Sequence, residues 1–112
     1  MNHLEPATTA VRAALHERTY PGDLGELYLL CGELTALLRG LESLTIRLSA
    51  RVADLAADPA LGSDNGADAR LSAEGAANSF ETAARRIAAA GFGVNQGWQK
   101  LAHLYLDTEG VR

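Results

Sequence analysis

A leucine recurs at every seventh residue through the middle of the chain, at Leu27, Leu34, Leu41, Leu48 and Leu55. A seven-residue apolar repeat is typical of an α-helix that packs lengthwise on another helix, because seven residues are close to two helical turns. When the repeat is lettered as a heptad, these leucines occupy position d. Position a holds Leu24, Cys31, Leu38, Thr45 and Val52. The repeat therefore predicts one long helix whose a and d residues form a packing seam.

Turn-forming residues mark the ends of this helix. Asp23, followed three residues later by Glu26, is a variant of the capping box that satisfies the unpaired amides of a helix start. Asp58-Pro59 ends the pattern, because proline disfavours helical backbone in the residue before it. We therefore expect a helix over about 23–57, and a loop over the Gly- and Asp-rich stretch 58–68.

A shorter helix is predicted before this one and a second long helix after it. Pro6 suits the first turn of a helix and Tyr20-Pro21-Gly22 ends it, which gives a helix over about 6–18. The last helix should cover about 69–106, where apolar residues again alternate in steps of four and three. These residues are Ala73, Ala77, Phe80, Ala84, Ile87, Gly91, Val94, Trp98, Leu101 and Tyr105.

The two long helices have matching lengths and complementary side-chain sizes. Each would be about 34 residues, or about 50 Å, long. Ala77, Ala84 and Gly91 leave room for leucines of the other helix, so the two axes can approach closely. Aromatic residues make up only 5% of the chain, which favours helices over strands. The sequence therefore predicts an all-α single domain, 1–112, with a short N-terminal helix and a long antiparallel hairpin.

The apolar stripe of the first long helix is wider than one partner helix can cover. Its g positions hold Leu30, Leu37 and Leu44, where a two-stranded zipper would carry charges. A DNA-binding zipper also needs a basic helix upstream, whereas this chain has a turn and Asp23 there. The net charge of −4 likewise disfavours direct nucleic-acid binding. The stripe therefore predicts a bundle of three or more helices.

The missing helices are expected to come from a second chain. The N-terminal helix, roughly 20 Å long, would cover less than half of the hairpin. Leaving the g leucines in water would forfeit several kcal/mol. We therefore predict a homodimer that completes a four-helix bundle, with a related helical protein or the chain's own N-terminal helix as the alternatives. Phe92 and Trp98 are further interface candidates if exposed, with core packing as their alternative role.

No catalytic, metal-binding or cofactor-binding pattern stands out. His103 and Asp107 are four residues apart but lack a second spaced pair of ligands. The stretch 64–68 suggests a calcium loop, yet Gly75 occupies the position of its bidentate glutamate. Cys31 is the sole cysteine, and a buried, unreactive thiol is expected in the leucine-rich helix. The prediction is a non-enzymatic protein–protein interaction module without a small-molecule ligand.

The chain shows no signal for a membrane or for conventional secretion. It has no run of 18 apolar residues, and its first residues lack the basic-then-apolar order of a signal peptide. A cytoplasmic protein without a membrane span is therefore expected.

The two long helices and the tail together resemble the Trp-x-Gly helical-hairpin family of type VII secretion substrates. Tyr105-Leu106-Asp107-Thr108-Glu109 matches that family's Tyr-x-x-x-Asp/Glu export signal. The resemblance implies that a secretion machinery reads Tyr105 and Glu109, that the chain pairs with a similar hairpin, and that it is exported without a conventional signal peptide. The interhelical turn departs from the family, because it has glycines but no tryptophan, and Trp98 is followed by Gln99-Lys100 near the C-terminus.

Overall fold

The protein is an all-α chain built on one long helical hairpin. The computed structural model describes residues 2–16 and 24–105. Within these ranges the helices are α1 (Glu5–His16), α2 (Leu24–Ala56) and α3 (Ala69–Leu101), and no strand occurs. α2 and α3 run in opposite directions and pack on each other over most of their length. The predicted fold class, a short helix followed by a long antiparallel hairpin, is confirmed.

The loop between the long helices is held by local hydrogen bonds. Asp58 Oδ1 accepts a hydrogen bond from Ala60 N at 2.9 Å. Asp68 caps α3, because its side chain accepts a hydrogen bond from Leu71 N at 3.1 Å. Gly66 has a φ of +78°, a backbone conformation that favours glycine. These interactions end one helix and start the next within the segment 57–68.

α3 ends at Leu101, before the predicted end at 106. The backbone tightens there into a turn: His103 N donates to Lys100 O at 3.2 Å, and Leu104 N donates to Leu101 O at 3.0 Å. Such three-residue hydrogen bonds commonly close the last turn of a helix. The other predicted ends at 18 and 23, and residue 106 itself, lie outside the described residues.

The contact between the long helices follows a different stripe of α2 from the predicted one. Thr35 and Ala56, both at position e, are buried. Ser49, also at e, donates a hydrogen bond to Ala77 O at 2.8 Å. The stripe that faces α3 is therefore centred on positions a and e. Position d lies at its edge, where Leu27 and Leu41 are half-buried and Leu34, Leu48 and Leu55 are 41–47% exposed. Small residues at e let the axes approach closely, whereas a leucine row there would hold the helices apart.

α3 presents its small residues to α2, as its spacing predicts. Ala77 and Ala84 are 6% and 3% exposed. Gly91 also faces α2, since a Cβ at that position would lie 3.7 Å from Leu38 Cβ. The larger residues of the same seam border this contact and are half-buried: Phe80, Ile87, Val94, Trp98 and Leu101.

The chain is elongated and has little interior. Its extents are 72 × 26 × 18 Å and its radius of gyration is 20.3 Å, against about 13 Å for a compact chain of this length. Among the described residues, the buried apolar ones are three alanines, and no large side chain is fully buried. Because domain stability comes mainly from burying large apolar side chains, two packed helices alone leave this chain without a substantial core.

Candidate interaction surface

The two long sides of the hairpin differ in chemistry, and one of them carries charges. A groove on this side is lined by Arg39, Glu42 and Ile46 of α2 and by Glu81, Arg85 and Phe92 of α3. Arg85 and Glu81 form an ion pair at 2.7 Å that is open to solvent. Such an exposed pair contributes at most about 1 kcal/mol. We refer to this groove and its residues as the charged side.

The opposite side of α2 consists almost entirely of leucine. Positions a and e face α3 and position b, which includes Arg39 and Ile46, opens on the charged side. Helical geometry therefore puts positions d and g on the other side. These positions hold Leu27, Leu30, Leu34, Leu37, Leu41, Leu44, Leu48, Arg51 and Leu55. Arg51 is the one polar residue among them.

α3 extends this leucine surface without adding a charge. Its residues that lie away from Glu81, Arg85 and Phe92 must border the d leucines. They are Ala76, Phe80, Ala83, Ala90, Val94, Gly97 and Leu101. We call these residues, together with the d and g leucines of α2, the apolar face. It is about 40 Å long, at 1.5 Å per residue, and two helices wide.

The apolar face remains substantially open to solvent. Leu34, Leu44, Leu48 and Leu55 are each between 41% and 47% exposed. The other leucines of the face, Leu27, Leu30, Leu37 and Leu41, are half-buried. Because full burial of a leucine stabilises by about 1.5–3 kcal/mol, covering the face would release several kcal/mol.

α1 lies beside the apolar face but covers little of it. Its first turn borders an open cleft together with Leu44 and Leu48. No Cα atom of α1 comes within 8 Å of a Cα atom of the long helices. Val11 and Leu15 of α1, and Leu4 just before it, stay 43–68% exposed. α1 therefore does not shield the leucines of the apolar face from solvent.

The five predicted interface residues do not share one surface. Leu30, Leu37 and Leu44 all lie on the apolar face. Phe92 is 64% exposed but lines the charged side. Trp98 is half-buried between α2 and α3. The structure therefore brings the three leucines together and separates them from the two aromatic residues.

Trp98 fills space near the open end of the hairpin. Its ring centroid is 5.4 Å from that of Tyr28, with the ring planes at 54°. A Cβ on Gly32 would lie 3.0 Å from Trp98 Cζ2, so the ring occupies the space that this glycine leaves. The indole Nε1 is buried and makes no hydrogen bond with a described residue. These contacts give Trp98 a place inside the hairpin.

The candidate export signal falls only partly within the described residues. Tyr105 follows the end of α3 and is 82% exposed. Glu109 lies outside the described residues. Tyr105 is thus accessible, and its role together with Glu109 stays a prediction.

The described residues contain no group of three or more His, Cys, Asp and Glu side chains that could hold a metal ion. Cys31 is a free, half-buried thiol on the stripe that faces α3. None of the described helices is both long and apolar enough to cross a membrane. The feature that these residues offer for recognition is the apolar face.

Comparison with protein families, with curated proteins and with solved structures finds no match to this chain.

The apolar face also includes residues that the sequence analysis assigned to the contact between the two long helices, namely the d leucines of α2 and the large residues of α3. The sequence does contain an indication of this placement. Thr35, Ser49 and Ala56 at position e are small and favour a close contact with α3 there, which leaves position d at the edge of that contact.

Proposed function

We propose that the protein is a non-enzymatic assembly module that dimerises through its apolar face into a four-helix bundle. The observation that carries this proposal is the row of leucines left 41–47% exposed on one side of the hairpin. Two such faces packed together would give each hairpin the second pair of helices that a four-helix bundle needs. A second copy is the favoured partner, because two-fold self-association is the commonest closed assembly. A related helical protein with the same pattern would bind in the same way.

The size of the apolar face supports this proposal. A surface about 40 Å long and about 20 Å wide covers about 800 Å², which is close to the area that each partner buries in a standard interface. The chain exposes 8842 Å², against about 5,900 Å² for a compact chain of its mass. A dimer would remove part of this excess from water.

α1 has to move for a second copy to dock. Its first turn borders Leu44 and Leu48, which belong to the apolar face. The contact is loose, since both leucines are still more than 40% exposed. Displacing α1 therefore costs little compared with the burial of the whole face.

Sedimentation equilibrium at micromolar concentrations tests the proposal, and we expect the mass of a dimer. Leu37→Asp should weaken dimerisation at least about 100-fold, because an unpaired charge in the interface costs about 3 kcal/mol or more. Leu29→Asp is the matched control, since Leu29 is at position f and is 66% exposed. A monomeric wild-type protein would refute the proposal, and so would a Leu37→Asp protein that sediments like the wild type.

We propose as a second candidate that the chain is exported by a type VII secretion system and pairs with a similar hairpin. The position of Tyr105 favours this candidate, because its side chain is 82% exposed shortly after the end of α3 at Leu101 and is open to a receptor. Tyr105→Ala should abolish export, whereas Leu104→Ala, a change at a neighbour that is 59% exposed, should not. Secretion of the Tyr105→Ala protein at the wild-type level would refute this candidate.

A further inference from the structure

We infer that the two copies lie parallel, with their open ends together, so that α2 of each copy packs on α3 of the other. This geometry rests on the proposed dimer and specifies how its helices pair. Two features of the apolar face carry it: the register between α2 and α3, and the distribution of large and small residues over the face.

The register of the hairpin is visible in its contacts. Ser49 Oγ donates to Ala77 O at 2.8 Å, and Leu38 Cβ would lie 3.7 Å from a Cβ on Gly91. Interpolation between these contacts puts each g leucine at nearly the same height along the rod as a small residue of α3. The pairs are Leu30 with Gly97, Leu37 with Ala90, and Leu44 with Ala83.

These pairs belong to the two outer rows of the apolar face, which are of opposite size. One row is leucine. The other row, on α3, is Ala76, Ala83, Ala90 and Gly97. Within one chain the two rows lie on different helices and both turn away from the α2–α3 contact. A two-fold axis along the rods brings the leucine row of each copy onto the small row of the other at matching height. Each leucine then fills the space that an alanine or glycine leaves.

A two-fold axis perpendicular to the rods would instead place equivalent rows of the two copies against each other. α2 would meet α2 of the second copy, and α3 would meet its own equivalent. Opposed leucine rows would hold one pair of helices apart while opposed alanine rows left space unfilled, and unfilled space in a core is destabilising. The parallel geometry fills the bundle more evenly along its length.

Cysteine cross-linking tests this geometry, because Cys31 is the only cysteine and Cys31→Ser removes it. On that background, Leu37→Cys and Ala90→Cys are prepared as separate proteins that carry tags of different mass. They are mixed, left to exchange subunits and oxidised with diamide. A disulfide needs Cα atoms roughly 4.4–6.8 Å apart, so it reports directly on which rows meet. We expect a mixed, disulfide-linked dimer from the mixture and no cross-linked dimer from either protein alone.

Other outcomes of this experiment separate the geometry from the dimer itself. Self-cross-linking of Leu37→Cys and of Ala90→Cys would overturn the parallel geometry while the dimer stands. If sedimentation shows that Leu37→Cys prevents dimerisation, Leu44→Cys with Ala83→Cys tests the same rows one heptad along. A dimer that cross-links in neither mixed pair would also overturn the geometry.

A control pair of cysteines tests whether the two copies meet through the apolar face. Arg39→Cys mixed with Phe92→Cys places both thiols on the charged side and should give no cross-link. Cross-linking of this control pair would show that the copies meet on the charged side, which overturns the geometry. A Cys31→Ser protein and a wild-type protein that are both monomeric would refute the proposed function, and the parallel geometry with it.

Discussion

Glycine at position 32 allows Trp98 to lie between the two long helices. A Cβ on Gly32 would be 3.0 Å from Trp98 Cζ2 and 3.3 Å from Cη2, which is closer than side chains pack unless one of them moves. The ring is restricted on another side by Tyr28. Gly75, on α3, shows the contrast, because nothing lies within 4 Å of a Cβ built there. The absence of a side chain at Gly32 thus leaves room for the indole ring near the open end of the hairpin.

We expect Gly32→Val to lower the free energy of unfolding by about 1–3 kcal/mol, because the added methyl groups overpack the contact with Trp98. The same change at Gly75 is the matched control and should stay within about 0.5 kcal/mol of the wild type. Urea unfolding followed by the fluorescence of Trp98, the sole tryptophan, measures both variants. A Gly32→Val protein as stable as the wild type, with unchanged emission, would contradict this account of the ring.

At the scale of the helices, the sequence predicts the hairpin well because its signals are local. The leucine repeat, Asp58-Pro59 and the Asp68 cap each act within a few residues, and together they define two long helices joined by a short loop. The direction of the hairpin then follows from the length of the loop. The fold class could therefore be derived without knowing any contact between the helices.

The choice of the inward stripe depends on contacts between distant residues, and periodicity does not encode them. Positions a, d and g of α2 are nearly all apolar, so the repeat alone does not say which of them faces α3. Thr35 and Ser49 decide it, because small residues at position e permit the closer approach. The contact between Gly32 and Trp98 also joins residues that are far apart in the sequence, and no local sequence pattern predicts it.

In the proposed dimer, α1 and the second copy would compete for the same part of the apolar face, and this competition can be measured. Leu4 borders the cleft shared with Leu44 and Leu48, whereas Leu15 does not and is 68% exposed. Leu4→Asp should therefore loosen α1 and tighten the dimer by about fivefold, if the lost contact is worth about 1 kcal/mol. Leu15→Asp should leave the dissociation constant unchanged. Sedimentation equilibrium compares the two variants, and a weaker dimer with Leu4→Asp would contradict the competition.

At the scale of the whole molecule, folding and dimerisation are expected to be one event. The described part of a single hairpin buries three alanines and no large side chain completely. Most of the available stabilisation belongs to the leucines of the apolar face, and it is gained only when that face is covered. Proteins built in this way often have no stable folded monomer, so their stability depends on concentration.

The midpoint temperature of unfolding should consequently rise with protein concentration. A tenfold increase adds about 1.4 kcal/mol to the stability of a dimer, which corresponds to a shift of about 3–5 °C for a folding unit of this size. Circular dichroism melts over about a hundredfold range of concentration would measure the shift. Leu29→Asp should retain it, whereas Leu37→Asp should melt at a lower temperature at each concentration and lose its cooperative transition at concentrations where it no longer dimerises. A wild-type midpoint that stays constant over the same range would mean that the hairpin folds as a monomer. Its stability would then not depend on burial of the apolar face by a second copy.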